Sequence, residues 1–241
     1  MNGFLNEEND TLDDWRPGAH GALRGHPWYL ATWESKTKAS LGLLLGGNAG
    51  KAAAGRYFVQ LAKRANRKSG SKLNPATMAA IVADILGNDW HTAMVKAAMT
   101  GIVLADLMSR TPEKKYILVG HSLGCRVIYY ALEALSTRTD TPVVENVILL
   151  GGAVGADDEP GWTRALQAVT GKIYNCYSKN DRVLNAAYRC ANAFLSEPIG
   201  FGPVALQSPR IENWDCSGFI DGHMTWKPEL AHVLEYIRYA R

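Results

Sequence analysis

The sequence predicts an α/β protein, a mostly parallel β-sheet covered by helices on both faces. From Pro112 onward, apolar runs rich in Ile, Val, Leu and Tyr alternate with amphipathic stretches through short connections, three times in succession, and a more polar strand candidate, "RIENWDCS", precedes the last helix. The runs are nearly continuous in hydrophobicity, as strands buried on both faces are. With 241 residues, 47% of them hydrophobic, the chain can bury a sizeable core, and one domain over 1–241 is expected.

The elements follow in order. Residues 28–33, "WYLATW", are short, aromatic and preceded by Pro27, which predicts a strand. Residues 36–113 read as a helical insertion ahead of the next strand. Within it, 49–68, 74–87 and 89–110 show helical spacing, with Asn74-Pro75 as a helix start, while "SLGLLLGGN" (40–48) fits either a strand or a helix. Strands are predicted at 115–120, 146–152, 172–178 and 210–217. Helices are predicted at 123–136, 159–169, 183–195 and 228–241, the last carrying an apolar stripe of Leu230, Val233, Leu234 and Ile237.

Charge and composition narrow the function classes. A net charge of +3 spread over 26 basic and 23 acidic residues does not suggest a nucleic-acid partner. Cys125, Cys176, Cys190 and Cys216 are far apart, with no CxxC pair or metal-ligand spacing, so reduced core thiols in a cytoplasmic setting are expected, without a metal. The first ten residues lack the basic and apolar regions of a signal peptide. The stretch 94–108 is interrupted by Lys96 and Asp106, which argues against a transmembrane span. Lys63, Arg64, Arg67, Lys68 and Lys72 form a basic cluster that reads as a solvated helix end, with peripheral membrane contact as its alternative.

One pentapeptide carries chemistry. "GHSLG" (120–124) lies between a β-type run and a helix, the context in which G-x-S-x-G holds a serine on a tight strand-to-helix turn. Gly120 and Gly124 leave room where side chains would collide with backbone. A serine hydroxyl at such a turn needs a base within hydrogen-bond reach, and the base needs an orienting acid. Asp181, just past the strand at 172–178, is the candidate acid, with Asp157 and Asp158 as rivals that could equally open the following helix. His223, in the loop "DGHMTW", is the candidate base. His20, His26 and His91 precede the serine, His232 lies off the apolar stripe, and His121 reads as a packed or hydrogen-bonded elbow residue, a weaker candidate for the base. Trp15, Trp28, Trp33 and Trp226 read as packing anchors, with an acyl-pocket wall as the alternative for Trp226.

Together, "VGHSLGCRVIYYALEAL", "ENVILLGG", "YNCYSKNDRVL" and "DGHMTW", with "NGFLNEENDTLDDW" and "HPWYLATWES" near the start, resemble the α/β-hydrolase superfamily. Within it they resemble the branch typified by transmembrane and coiled-coil domain-containing protein four. The resemblance implies an α/β-hydrolase-like fold with Ser122 as nucleophile, Asp181 as orienting acid and His223 as base. It also implies an oxyanion hole formed by the backbone N–H of Leu123 and that of Phe4 or Leu5, and no cofactor. The sequence departs from the superfamily in being shortened at its N-terminal side. A strand should run into the oxyanion loop beside the elbow strand, yet only Met1 and Asn2 precede Gly3. The vacant place calls for a very short strand, for residues 40–48, for a strand from another chain, or for a natural start upstream of Met1.

The reaction expected is hydrolysis of a small-molecule or lipid carboxylic ester through an acyl-enzyme. A catalytically idle scaffold that binds a partner is the alternative from another class. A thioesterase or acyltransferase would use the same residues.

Overall fold

The computed structural model describes residues 12, 15, 23, 25–33, 75–138, 142–181, 184, 185, 188 and 196–239, excepting the side chains of 75–90. The named elements run α1 (Pro75–Ser109), β1 (Tyr116–His121), α2 (Leu123–Leu135), β2 (Val144–Leu150), α3 (Glu159–Gln167), β3 (Ile173–Tyr177), β4 (Ile211–Asp215) and α4 (Leu230–Tyr236). The strands form one sheet in the order β1-β2-β3-β4, each neighbouring pair parallel. All C-terminal ends therefore lie along one edge.

Alternation along β2 divides the core. Val147 and Leu149 face a cluster with Ile128, Leu132, Trp162 and Ala165 of α2 and α3. Ile148 and Leu150 face the other way, toward Trp226, Leu230, Val233 and Leu234. Helices thus cover both faces, because the run 147–150 is apolar at every position and, with period 2, must bury both sides.

Prediction and structure agree for the four strands that follow Pro112 and diverge at three other places. Residues 28–33 form no strand. Their aromatic composition serves packing instead, since Trp28 and Leu30 lie against the core cluster of Trp226 and Leu230. This segment and β1 both line a cavity of about 410 Å³, with Trp28, Leu30, Leu104, Ile117 and Val119 among its lining residues. Residues 40–48, the candidate replacement strand, and 49–68, a predicted helix, lie outside the described residues.

The helices predicted at 74–87 and 89–110 are one 35-residue helix, α1, which starts at Pro75 as expected. A single Gly87 costs about 1 kcal/mol against alanine, too little to break a helix of this length. Helix α1 packs on α2 with close backbone approach: a Cβ added to Gly101 would stand 2.5 Å from the Val127 carbonyl oxygen. Its stretch His91–Ser109 is long and apolar enough to cross a membrane, yet a third of it is buried in the protein. On the opposite face Val95, Met99, Ile102, Val103 and Leu107 are exposed.

The last helix is also shorter than predicted. The chain reverses after Tyr236 with Arg238 at φ 51°, and the Tyr239 N–H returns to the Leu234 carbonyl at 3.0 Å. Leu230, Val233, Leu234 and Ile237 are buried, as the stripe predicts. Of 183–195, Leu184, Asn185 and Tyr188 are helical and the rest lies outside the described residues.

Candidate active site

Ser122 sits between the last residue of β1 and the first of α2 at φ 57°, ψ −123°, a backbone conformation that costs a non-glycine residue about 1–3 kcal/mol. Three backbone hydrogen bonds hold it there. Its N–H donates to Leu150 at 3.0 Å, and its carbonyl accepts from Cys125 and Ala153, each at 3.1 Å. Gly120 makes room for this turn, because a Cβ there would lie 2.7 Å from Ile128 Cδ1 and 3.1 Å from the Cys125 nitrogen.

The three residues singled out from the sequence meet at the C-terminal edge of the sheet. Ser122 Oγ lies 2.9 Å from His223 Nε2, and His223 Nδ1 lies 2.8 Å from Asp181 Oδ2. An ionised carboxylate only accepts, so Nδ1 carries the imidazole proton and Nε2 is left to accept the serine O–H. Ser122 and Asp181 are fully buried and His223 nearly so.

Asp181 is held on both oxygens. Oδ1 accepts the Leu184 N–H at 3.1 Å, the cap of the helical turn that follows, and Oδ2 accepts the Trp226 indole N–H at 3.3 Å as well as His223. One carboxylate thus both caps that turn and bonds to the His223 imidazole. The rival acids are engaged elsewhere: Asp157 accepts from Ser196 Oγ at 2.7 Å, while Asp158 caps α3 through the Gly161 N–H at 3.0 Å and accepts Tyr129 O–H at 2.7 Å.

His223 arrives from the far side of the sheet. Three strand spacings, about 14 Å, separate β4 from β1, and the segment after β4 crosses that distance along the edge. Its course is pinned by Cys216 N–H to the Tyr177 carbonyl at 2.8 Å and Ser178 Oγ–H to the Ile220 carbonyl at 2.8 Å. Trp226 is fully buried and lies against Gly151, as a packing anchor of this crossing would.

Trp226, read from the sequence as a packing anchor or pocket wall, and His121, read as an elbow residue, make contacts at the site that the sequence did not specify. Trp226 supports Asp181, and its place three residues after the candidate base is the only sequence signal for that. His121 lies directly behind the base: its Nε2 is 3.0 Å from the His223 carbonyl oxygen and the two rings are 4.7 Å apart. Burial foremost, and then the neighbouring His223 and Lys227, hold the His121 pKa well below its ordinary value. Burial also pushes the Cys125 thiol up to about 12, which makes it an inert core thiol beside the elbow.

The backbone N–H of Leu123, at the start of α2, adjoins the serine. Phe4 and Leu5, the other expected oxyanion donors, lie outside the described residues, as does His20. His232 stacks on Phe219 and lies 3.4 Å from Glu229, away from the serine. No group of three or more side chains suited to a metal ion occurs among the described residues.

Residues 4–240 match a protein family described as "Protein of unknown function (DUF726)". An uncharacterized membrane protein of Schizosaccharomyces pombe is 35% identical over 156 residues, 64% of this chain and 27% of that protein. The transmembrane and coiled-coil domain-containing protein STS1 of rice, Oryza sativa, is 27% identical over 98% of this chain and 35% of its own length. The probable lipase MIL1 of Saccharomyces cerevisiae is 32% identical over 64% of this chain and 14% of its own length. The chain thus spans about a third or less of these relatives. Two of the names are those of membrane proteins, which does not support the cytoplasmic setting expected from cysteine usage. No solved structure matches the chain.

Proposed function

The chain belongs to the DUF726 family, and we propose that it is a serine hydrolase of α/β-hydrolase type that cleaves carboxylic esters, with lipase or esterase character. The observation that carries this reading is the continuous hydrogen-bonded line Ser122–His223–Asp181, with steps of 2.9 and 2.8 Å, at the C-terminal edge of a parallel sheet. The relative named a probable lipase supports the ester class.

In this reading Ser122 Oγ attacks the ester carbonyl while His223 Nε2 takes its proton. Asp181 holds the Nδ1–H and stabilises the imidazolium. The Leu123 N–H donates to the developing oxyanion, a contact of a kind typically worth about 100- to 1000-fold in rate. His223 returns the proton to the leaving alcohol, and water then repeats the sequence on the acyl-enzyme. The exposed apolar face of α1 belongs to the same proposal, as a surface that rests on lipid and brings the site to an ester held there.

A second reading is favoured by one observation. Ser122 is completely buried, as it would be in an idle scaffold that keeps the fold without turning over substrate. Labelling with a fluorophosphonate probe decides between them. The active enzyme is labelled, and Ser122→Ala abolishes the label; a folded protein that takes up no Ser122-dependent label is the scaffold. Acyl transfer to an added alcohol in preference to water would mark an acyltransferase.

A further inference from the structure

We propose that His121 is a positioning residue for this site, acting as a neutral imidazole whose Nε2–H holds the backbone of His223 so that its ring spans Ser122 and Asp181. The inference rests on the hydrolase reading and deepens it.

The tautomer follows from the partners. Nε2 of His121 is 3.0 Å from the His223 carbonyl oxygen, and a carbonyl only accepts, so Nε2 carries the proton. Nδ1 is buried with no hydrogen-bond partner among the described residues. A neutral ring leaves Nδ1 as a bare acceptor; an imidazolium would place a second N–H there with nothing to receive it. Burial of the ring and the nearby His223 and Lys227 oppose the charged form as well.

The loop needs such a tie. His223 follows Gly222, the most permissive backbone unit. Between the Ser178 bond to Ile220 and the seat of Trp226, this peptide is also held by a tight turn, in which Thr225 returns its hydroxyl to the Gly222 carbonyl at 2.7 Å and its N–H at 3.2 Å. His121 belongs to β1 and is joined directly to Ser122, so its bond fixes the base to the residue beside the nucleophile. Neutrality matters equally, because the imidazolium formed at His223 during turnover stands with its ring 4.7 Å from that of His121. A neutral neighbour does not repel it.

The test compares His121→Gln with His121→Met. The two side chains have similar length and volume, and only glutamine offers an N–H to the His223 carbonyl. Two signals are read: the rate of Ser122 labelling by a fluorophosphonate, and the downfield NMR resonance of the His223 Nδ1 proton shared with Asp181. The second needs no activity. Expected is an approximately 10- to 100-fold slower labelling in His121→Met, the scale of a misplacement near 1 Å, with the Nδ1 proton lost to exchange. His121→Gln keeps that proton and labels several-fold faster than His121→Met. Equal labelling and an intact Nδ1 proton in both variants would overturn the inference. Absence of labelling in the wild type would overturn the hydrolase reading alone, with the proton resonance still deciding the role of His121. Should neither variant fold, the nitrogen shifts of the wild-type ring at neutral pH decide: a protonated Nε2 with a bare Nδ1 supports the inference, and a protonated Nδ1 defeats it.

Discussion

At Ser122, steric strain and hydrogen bonding act against each other. The φ of 57° is tolerated because the Leu150 carbonyl and the Cys125 and Ala153 amides hold the peptide on both sides. His121, the preceding residue, sets a measurable dependence of stability on pH. Its folded pKa lies well below the ordinary 6.5, with burial as the main cause, so below that pH the unfolded state binds a proton that the folded state refuses. Stability is therefore fully present above about pH 6.5 and is lost as pH falls toward the folded value. Urea denaturation of the wild type between pH 7 and pH 5 should show this loss. His121→Gln should show a shallower slope, with up to about one fewer proton taken up on unfolding.

At the level of elements, α1 approaches the backbone of α2 closely at Gly101. A Cβ at Gly101 would stand 2.5 Å from the Val127 carbonyl and 2.9 Å from the Ala131 nitrogen, and backbone cannot step aside as a flexible side chain does. Gly101→Ala gains about 1 kcal/mol in helix propensity and forces the helices apart, at a cost of about 1–3 kcal/mol or more. The expected outcome is a net loss of stability, read as a lower urea midpoint with an unchanged slope. A stabilised variant would show that the two helices separate freely. Because the buried face of α1 also includes Ala93, Met94 and Ala97 against Leu123 and Val127, the same displacement should reach the elbow and slow labelling of Ser122.

Over the whole molecule, the site is assembled from parts far apart in the chain. Ser122 follows β1, Asp181 follows β3, and His223 follows β4 after a loop that recrosses the sheet edge. None of these contacts survives alone, since each depends on the sheet order β1-β2-β3-β4 and on Trp226 seated against Gly151. Loss of fluorophosphonate labelling and the change in tryptophan fluorescence should accordingly share one urea midpoint. A labelling midpoint well below the fluorescence midpoint would mean that the recrossing loop opens as a separate unit.

The sequence by itself determined the four strands after Pro112, the helices α2 and α3, and the expectation that Ser122, His223 and one of Asp181, Asp157 and Asp158 belong together. Local physics suffices for these, because strands buried on both faces read as apolar runs, and a serine on a strained turn needs small neighbours at Gly120 and Gly124; β4, with burial confined to Ile211, is marked instead by its short β-type composition. What only the tertiary structure decided is where local preference is outweighed by partners distant in sequence. Residues 28–33 have strand composition but form no strand and pack against the Trp226 cluster instead. Asp181 is chosen over Asp157 and Asp158 because Ser196, Gly161 and Tyr129 already occupy the other two. The bond from His121 to the His223 carbonyl joins residues 102 positions apart, a distance over which no periodicity or motif speaks and only the folded chain can bring a donor to its acceptor.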